Sequence, residues 1–513
     1  MTASWPLHRT GAIAALPDLP EAAKGAQSPG ADVADQPPRA HAAVGVAGLA
    51  LPGLVAAALG LWRLTGAALW ADELATWGAV RLSWSQLWQL SGSVDAVLTP
   101  YYGLLKAYTA VAGTSTLALR LPSAVAMTLA TVVVTVLGRR VGGTATGLLA
   151  GLIFAILPVT SRYAQEARSY AAVILGAALA VLLLVMSLEH PTRARLIGYA
   201  AAVGFAGVLH PLSGLLMIVG HATAVGWWQL GHRTDGWRTT RWWATAAFVG
   251  ALPALALSVR GSGQTAQVSW IALVDLSALQ EFPERLFHSA AVGGFVLVLA
   301  VLGVRRDSAH VCLATAAFVP AVLLLLVGTQ LQVWTARYVL VVLPAMAILA
   351  ASALTRIGRA HSIVAVCLAT TLACPAQVTV RSQAGHSQDS FRIAAVIGPR
   401  YRPGDVVVFP DSHPSIPWSP RDIYERYLPT PRPPDVLRTA RQRTDGQFLA
   451  TECPDAVCLG TPPRIWVVRV DNATDPMKDM ALGKQERIRK DYRPAQRWQY
   501  ALLGISLLER MPS

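Results

Sequence analysis

The chain has 513 residues, of which 53% are hydrophobic and only 14% are charged, and its mean hydropathy is +0.44. A soluble globular protein carries about 25% charged residues, so this composition excludes an ordinary soluble protein and indicates a polytopic membrane protein with room for a soluble part. The formal net charge is +14, but the basic excess falls largely in short loops between apolar segments, so no nucleic-acid partner is expected.

Residues 1–41 are rich in Ala, Pro and Gly and lack an apolar block long enough for a signal peptide, which predicts a disordered cytoplasmic tail. A helix needs about 20 apolar residues to cross a bilayer. Eleven segments reach or approach that length: 43–62, 119–138, 143–160, 169–188, 196–210, 212–229, 242–259, 287–304, 310–328, 338–355 and 361–378. The sequence therefore predicts an all-α membrane domain over residues 42–379.

The arginines between these segments predict the orientation of the chain. Every loop after an even-numbered span is basic, and these loops contain Arg139, Arg140, Arg193, Arg195, Arg233, Arg238, Arg241, Arg305, Arg306, Arg356 and Arg359. Basic loops face the cytoplasm, so we expect a plasma-membrane protein with a cytoplasmic N-terminus. Counting 99–113 as a further span would place the later basic loops outside the cell instead of in the cytoplasm. We therefore predict that 83–91 and 99–113, within a first outer loop 63–118, are interfacial helices.

Residues 380–513 are predicted to form a small extracytoplasmic α/β domain. The runs 406–409 and 465–470 have the composition of buried strands, and 422–428 and 484–491 favour helices. Cys453 and Cys458 are close together in this polar region, and a local disulfide is plausible if the region is extracytoplasmic.

Two charged clusters follow apolar spans on the same predicted outer face. Asp72 and Glu73 come just after the first span, and the second cluster occupies 162–168. Charge near the hydrocarbon is costly and often marks a substrate site, and arginine suits a phosphate group. The alternative is a solvated interface, with acids in water and an Arg162–Glu166 ion pair at helical spacing.

Other polar residues near predicted span ends have both a functional and a structural interpretation. Arg337 and Tyr338 lie where a late loop enters a span, and His210 precedes a proline at a helix end. A lone histidine in such a place more often has a structural role. Tyr101 and Tyr102 could line a cavity or anchor an interfacial helix, and we favour the anchor.

At these residues the chain resembles the family 39 glycosyltransferases of the GT-C fold. This group includes protein O-mannosyltransferases and bacterial lipid A aminoarabinose transferases. The matching stretches are 72–76, 120–123, 162–170 and 337–344, and the resemblance covers roughly 44–380. The C-terminal domain is similar to the appendage of actinobacterial members, a weaker match.

The resemblance implies an enzyme that transfers a sugar, expected to be mannose, from a polyprenyl-phosphate donor at the outer membrane face with inversion. Asp72 would be the general base. The implied substrate-binding residues are Glu73, Arg162, Tyr163, Glu166, Arg168, His210, Arg337 and Tyr338. Glu73 would brace an arginine, and the three arginines would hold the donor phosphate. No cofactor is expected, and a divalent metal is left open.

The chain also departs from the family pattern. Protein O-mannosyltransferases commonly have His-Pro-Pro in the first loop, where this chain has Leu98-Thr99-Pro100, and their large luminal insertion is missing. These differences favour a lipid-linked or cell-wall glycan acceptor over a protein. The alternatives are a membrane transporter or lipid flippase, and a membrane-anchored binding protein that works through its C-terminal domain.

Overall fold

The computed structural model describes residues 39–232 and 236–512. Residues Val44–Ser513 form one compact unit. The tail expected over residues 1–41 therefore lies almost entirely outside the described residues.

The described residues before 381 are mainly helical. Its α-helices, in order, are α1 (Arg39–Leu61), α2 (Ala71–Val80), α3 (Trp84–Ser93), α4 (Thr99–Ala112), α5 (Thr116–Ile156), α6 (Pro158–Ala164), α7 (Tyr170–Glu189), α8 (Arg193–Leu209), α9 (Pro211–Gly231), α10 (Gly236–Gly261), α11 (Leu276–Gln280), α12 (Phe282–Phe287), α13 (Ala290–Leu302), α14 (Ser308–Gly328), α15 (Leu343–Leu354) and α16 (Arg359–Val380). Short 3₁₀ helices cover Ser262–Val268 and Ala336–Val342.

Each of the eleven apolar segments expected from the sequence is helical in the structure. Within the described ranges, six helices are long and apolar enough to cross a membrane: Thr116–Ile156, Tyr170–Glu189, Gly236–Gln264, Ser308–Gly328, Ala336–Leu354 and Arg359–Val380. The count of eleven spans therefore stays a prediction.

Helix α5 contains two of the expected spans, joined at Gly143. This glycine has a φ of 83°, a conformation that costs other residues energy because their Cβ atoms clash with the backbone. The chain reverses here, so that Gly138 packs on Gly147 and Gly151 packs on Thr135. The reversal separates 119–138 from 143–160, as the hydropathy pattern predicts.

The two short helices expected in the loop 63–118 are α3 and α4. Trp84 and Trp88 on α3 are exposed, as an interfacial helix requires. The preferred interpretation of Tyr101 and Tyr102 as interfacial anchors is wrong. Both tyrosines are buried, because α4 packs this face against α2.

The C-terminal part contains α17 (Arg392–Ile397), α18 (Ser419–Tyr427), α19 (Leu482–Asp491) and six strands. The strands are β1 (Val406–Val408), β2 (Arg438–Ala440), β3 (Thr451–Glu452), β4 (Arg464–Arg469), β5 (Tyr492–Tyr500) and β6 (Leu503–Arg510). The main sheet has the order β1-β4-β6-β5, with β1 and β4 parallel and the other pairs antiparallel. Cys453 and Cys458 form a disulfide. A helical membrane part followed by a small α/β part confirms the expected fold class.

The C-terminal part packs directly on the residues that lead into α2. The Leu69 backbone N–H donates to the Tyr427 hydroxyl at 2.8 Å, and the indole Nε1 of Trp418 donates to the Ala71 carbonyl at 3.1 Å. These contacts lie next to Asp72. The position of α2 therefore depends on both parts of the chain, and the domain boundary near 380 stays a prediction.

Gly78 on α2 leaves the space that Arg443 of the C-terminal part occupies. The Arg443 guanidinium donates to both carboxylate oxygens of Asp422, at 2.9 and 2.6 Å, and the pair is buried. A Cβ on Gly78 would lie 2.4 Å from Nη1 of Arg443. We expect Gly78→Ala to destabilise the protein by about 1–3 kcal/mol, because overpacking must displace this pair. Thermal unfolding of the purified protein in detergent measures the effect.

Gly92→Ala is the matched control, since a Cβ there would meet no atom within 4 Å. Alanine also favours the helix, so this variant should unfold at an unchanged or slightly higher temperature. Equal stability of the two variants would contradict the packing described here.

Candidate active site

The neighbouring acids Asp72 and Glu73 occupy the first turn of α2. Adjacent side chains on a helix diverge by about 100°, and the two carboxylates have different surroundings. Asp72 lines a cavity of about 1000 Å³. Glu73 is completely buried. The two residues therefore cannot share one role.

Glu73 forms a buried ion pair with Arg120 on α5. Arg120 Nε donates to Oε1 at 2.8 Å and Nη2 donates to Oε2 at 2.7 Å, while the backbone N–H of Ala167 donates to Oε1 at 2.8 Å. Burial alone would raise the pKa of Glu73, but the charge and hydrogen bonds of Arg120, followed by those of His386, outweigh it and hold the pKa far below its ordinary value. Glu73 therefore stays ionised and structural.

Arg120 uses its remaining donors on the chain that enters α2. Nη1 donates to the carbonyls of Leu64 and Ala67 at 2.9 and 3.0 Å, and Nη2 donates to Ala68 at 3.1 Å. Nδ1 of His386 lies 3.2 Å from Glu73. One guanidinium thus fixes the backbone just before Asp72, which leaves this carboxylate with a defined position.

Asp72 contacts two arginines from distant parts of the chain. Arg337 Nη1 donates to Asp72 Oδ2 at 2.7 Å, and Arg168 Nη2 lies 3.9 Å from the same oxygen. All three side chains line the larger cavity. A carboxylate and two cations therefore meet at one surface that a ligand can reach.

Arg162 and Glu166 lie behind this surface. Pro158 begins α6 after α5 ends, and the chain then turns before α7 begins at Tyr170. Nη1 of Arg162, on α6, donates to Oε2 of Glu166 in this turn at 2.8 Å. The indole Nε1 of Trp70 donates to Oε1 of Glu166 at 2.9 Å. Neither Arg162 nor Glu166 lines the cavity beside Asp72 or the smaller cavity described below. The pair instead holds the side chain of Trp70 in place.

Arg168 is positioned by two groups from the first loop. Its Nη1 donates to the Tyr102 hydroxyl at 3.1 Å, and that hydroxyl donates to Asp95 at 2.6 Å. Burial raises the pKa of Tyr102 well above its ordinary value, as does the charge of Asp95. Tyr102 therefore stays protonated and can bridge the acid and the arginine.

His210 sits at the junction of α8 and α9, beside the same cavity. Its Nδ1 accepts from the backbone N–H of Ser213 at 3.2 Å, and its ring packs on Tyr338 with centroids 4.8 Å apart. Because Nδ1 accepts this hydrogen bond, the proton of the neutral ring is on Nε2.

A second cavity of about 590 Å³ adjoins the first. Trp270, Ile271 and Arg337 line both cavities. The smaller cavity is also lined by Tyr163 and by His288, whose backbone φ is 57° and whose ring packs against Tyr163 with centroids 6.0 Å apart. Arg337 thus separates two spaces that could hold two substrates.

The structure brings most of the sequence-predicted residues together. Those that line a cavity are Asp72, Tyr163, Arg168, His210, Arg337 and Tyr338. Glu73, Arg162 and Glu166 are buried in the supporting layer. Sequence reasoning did not assign a role to His288 or His386, and it assigned Tyr102 to an interfacial anchor. It placed Arg120 in a stretch that matches the family, but gave it no role, although a charge inside an apolar segment is a signal of function.

The described residues contain no cluster of three or more His, Cys, Asp or Glu side chains that could hold a metal ion. The arrangement that they do offer, a carboxylate with two arginines, suits a reaction in which one group accepts a proton and another carries negative charge.

The chain is similar to known proteins both in part of its sequence and in its fold. Residues 99–259 match the family described as dolichyl-phosphate-mannose-protein mannosyltransferase. The structure is similar to that of ArnT from Cupriavidus metallidurans bound to undecaprenyl phosphate, with a TM-score of 0.58, 13% identity, and coverage of 89% of this chain and 97% of that chain. The chain has the GT-C fold, and its residues 99–259 are similar to this mannosyltransferase family.

The apo structure of the same ArnT gives a TM-score of 0.58 and 13% identity, covering 91% of this chain and 98% of that chain. The oligosaccharyltransferase of Archaeoglobus fulgidus is more distant, with a TM-score of 0.47 and 11% identity over 90% of this chain and 73% of that chain. No curated protein matches the chain.

These findings agree with the expected resemblance: part of the sequence is similar to protein mannosyltransferases, and the fold is similar to that of ArnT. They also support a multi-pass membrane protein. The orientation of its termini stays a prediction.

Glu73→Gln should destabilise the protein by about 3–5 kcal/mol, because it leaves the buried charge of Arg120 without its counter-charge. Glu281→Gln is the control, since its ion pair with Arg285 is exposed and should be worth little. Thermal unfolding in detergent compares the two variants.

The wild-type enzyme should lose this stabilisation in acid. A carboxylate whose pKa is lower in the folded state stabilises above its ordinary pKa, here 4.5, and the effect fades as the pH falls below that value. Glu73→Gln should therefore show a weaker dependence of stability on pH below about 4.5. Parallel pH profiles for the variant and the wild type would contradict the assignment.

Proposed function

We propose that the chain transfers a sugar, mannose, from a polyprenyl-phosphate donor to a hydroxyl group of a glycan acceptor, with inversion at the anomeric carbon. The observation that supports this most directly is the meeting of Asp72 with Arg168 and Arg337 in one cavity. ArnT, whose fold is similar, has been observed with undecaprenyl phosphate.

Asp72 is the general base in this proposal. Its carboxylate takes the proton of the acceptor hydroxyl while the acceptor oxygen forms a bond to the anomeric carbon. The bond from that carbon to the phosphate oxygen breaks, and its electron pair leaves with the polyprenyl phosphate. A phosphate is a weak base, so no general acid is needed.

Arg337 and Arg168 stabilise the leaving phosphate. Both are fixed before the donor arrives, which is the arrangement that favours a developing negative charge. Arg337 uses Nη1 on Asp72, and its buried Nε has no partner among the described residues. A phosphate oxygen is the type of acceptor that would satisfy this donor.

Several other residues bind substrate or support the site. The neutral His210 presents Nε2–H as a donor to the sugar, with Tyr338 packed against its ring. Tyr163 lines the smaller cavity, where it contacts the donor. Glu73 supports the site by fixing the backbone before α2 through Arg120. Arg162 and Glu166 support it by holding Trp70.

In this proposal the site faces the outside of the plasma membrane, the N-terminus is cytoplasmic and the C-terminal part is extracytoplasmic. The disulfide between Cys453 and Cys458 supports that placement, because disulfides persist in oxidising compartments. The acceptor is then a lipid-linked or cell-wall glycan of the cell envelope.

Asp72→Asn should leave the protein folded and lower transfer by about 10²–10⁴-fold, because the amide keeps an oxygen for Arg337 but cannot take a proton. The assay follows radiolabelled decaprenyl-phosphate mannose in membranes that contain the natural acceptor. Asp307→Asn, at an exposed position, is the control. Full activity of Asp72→Asn would reject the base assignment.

Arg337→Ala should lower kcat/KM for the same donor by about 10²–10³-fold, because it removes a fixed charge that faces the leaving phosphate. The effect on acceptor KM should be much smaller. Arg238→Ala, which changes an exposed arginine, should alter neither constant. Equal losses for donor and acceptor, with a lower unfolding temperature, would instead indicate damage to the fold.

A further inference from the structure

A continuous segment of the C-terminal part lines the larger cavity together with Asp72. Residues 413–418, which we call the 413–418 wall, all contribute to this lining, as does Phe448. The C-terminal part is therefore a component of the cavity that holds the proposed base.

The 413–418 wall has a fixed shape. Pro414 and Pro417 restrict the backbone, and the Ile416 N–H donates to the His413 carbonyl at 3.2 Å. Rigid elements bind with a smaller loss of entropy than mobile ones. The wall is therefore preorganised to select a ligand.

Trp418 connects the wall to α2, the helix that carries Asp72. Its indole Nε1 donates to the carbonyl of Ala71, the residue before Asp72, at 3.1 Å. Its ring packs on Phe448 with centroids 4.6 Å apart, and its carbonyl accepts from Gln442 at 3.0 Å. A group that rests on the wall is thereby held close to the general base.

The wall offers apolar surface and few polar groups. Pro414, Ile416 and Pro417 contribute apolar atoms, while His413 accepts at Nδ1 from the backbone N–H of Ser415 at 3.3 Å. In the neutral ring the proton of His413 is then on Nε2, where it can be donated. Such mixed surfaces orient small polar ligands, and a sugar has both an apolar C–H face and hydroxyl groups.

The wall is poorly suited to an extended peptide. A peptide needs free backbone N–H groups for pairing, and neither proline has one. The N–H groups of Ser415 and Ile416 are already bonded to His413. Residues 414–417 therefore present no free backbone donor.

We propose that the 413–418 wall and Phe448 bind the acceptor beside Asp72, and that this acceptor is a carbohydrate. The inference rests on the proposed function and adds the residues that select the acceptor.

The test compares transfer to an acceptor with transfer to water. Full-length protein in lipid nanodiscs receives radiolabelled decaprenyl-phosphate mannose, with either n-octyl glycosides of mannose, glucose, galactose and arabinose or a serine- and threonine-rich peptide. Ile416→Trp fills part of the wall, and His413→Ala removes its side-chain donor. Each substitution should raise KM for the glycoside by about tenfold. This factor corresponds to the free energy of about one hydrogen bond. Hydrolysis of the donor by water should stay unchanged.

Val457→Trp is the matched control, because Val457 is exposed in the same part of the chain and does not line the cavity. An unchanged glycoside KM in both wall variants, equal losses of transfer and hydrolysis in His413→Ala, or labelling of the peptide instead of any glycoside would overturn the inference. A wild-type enzyme that neither transfers nor hydrolyses the donor would overturn the proposed function and the inference with it.

Discussion

The buried ion pair between Glu73 and Arg120 joins four parts of the chain at one point. It links the residues before α2, the first turn of α2, helix α5 and the backbone at Ala167, and His386 adds a contact from the C-terminal part. Separating two charges in a dry environment is costly, so the pair tolerates little movement. The position of Asp72 follows from this constraint.

The adjacency of the two acids has a structural explanation. At the start of a helix, neighbouring residues point about 100° apart. One carboxylate can then be buried as an anchor while the next faces the cavity. Both also lie at the helix N-terminus, where the backbone dipole favours negative charge. Two acids with separate tasks therefore need only two consecutive positions.

The C-terminal part contributes both to the position of α2 and to the lining of the larger cavity. Its hydrogen bonds to Leu69 and Ala71 stabilise the entry to α2, and the 413–418 wall contributes to the cavity. The wall lies in the loop between β1 and α18, whereas Asp72 lies on α2 and Arg337 on the 3₁₀ helix Ala336–Val342.

The sequence by itself determined the apolar segments, the two charged clusters and the strands β1 and β4 of the C-terminal part, because hydropathy and periodicity are local properties. The strands β2, β3, β5 and β6 were not predicted. The tertiary structure decided which charges pair. Sequence reasoning expected Glu73 to brace an arginine that it did not name. In the structure Glu73 binds Arg120, 47 positions away, and Asp72 binds Arg337, 265 positions away. Such contacts, like the burial of Tyr102, depend on how helices pack, which no local pattern records.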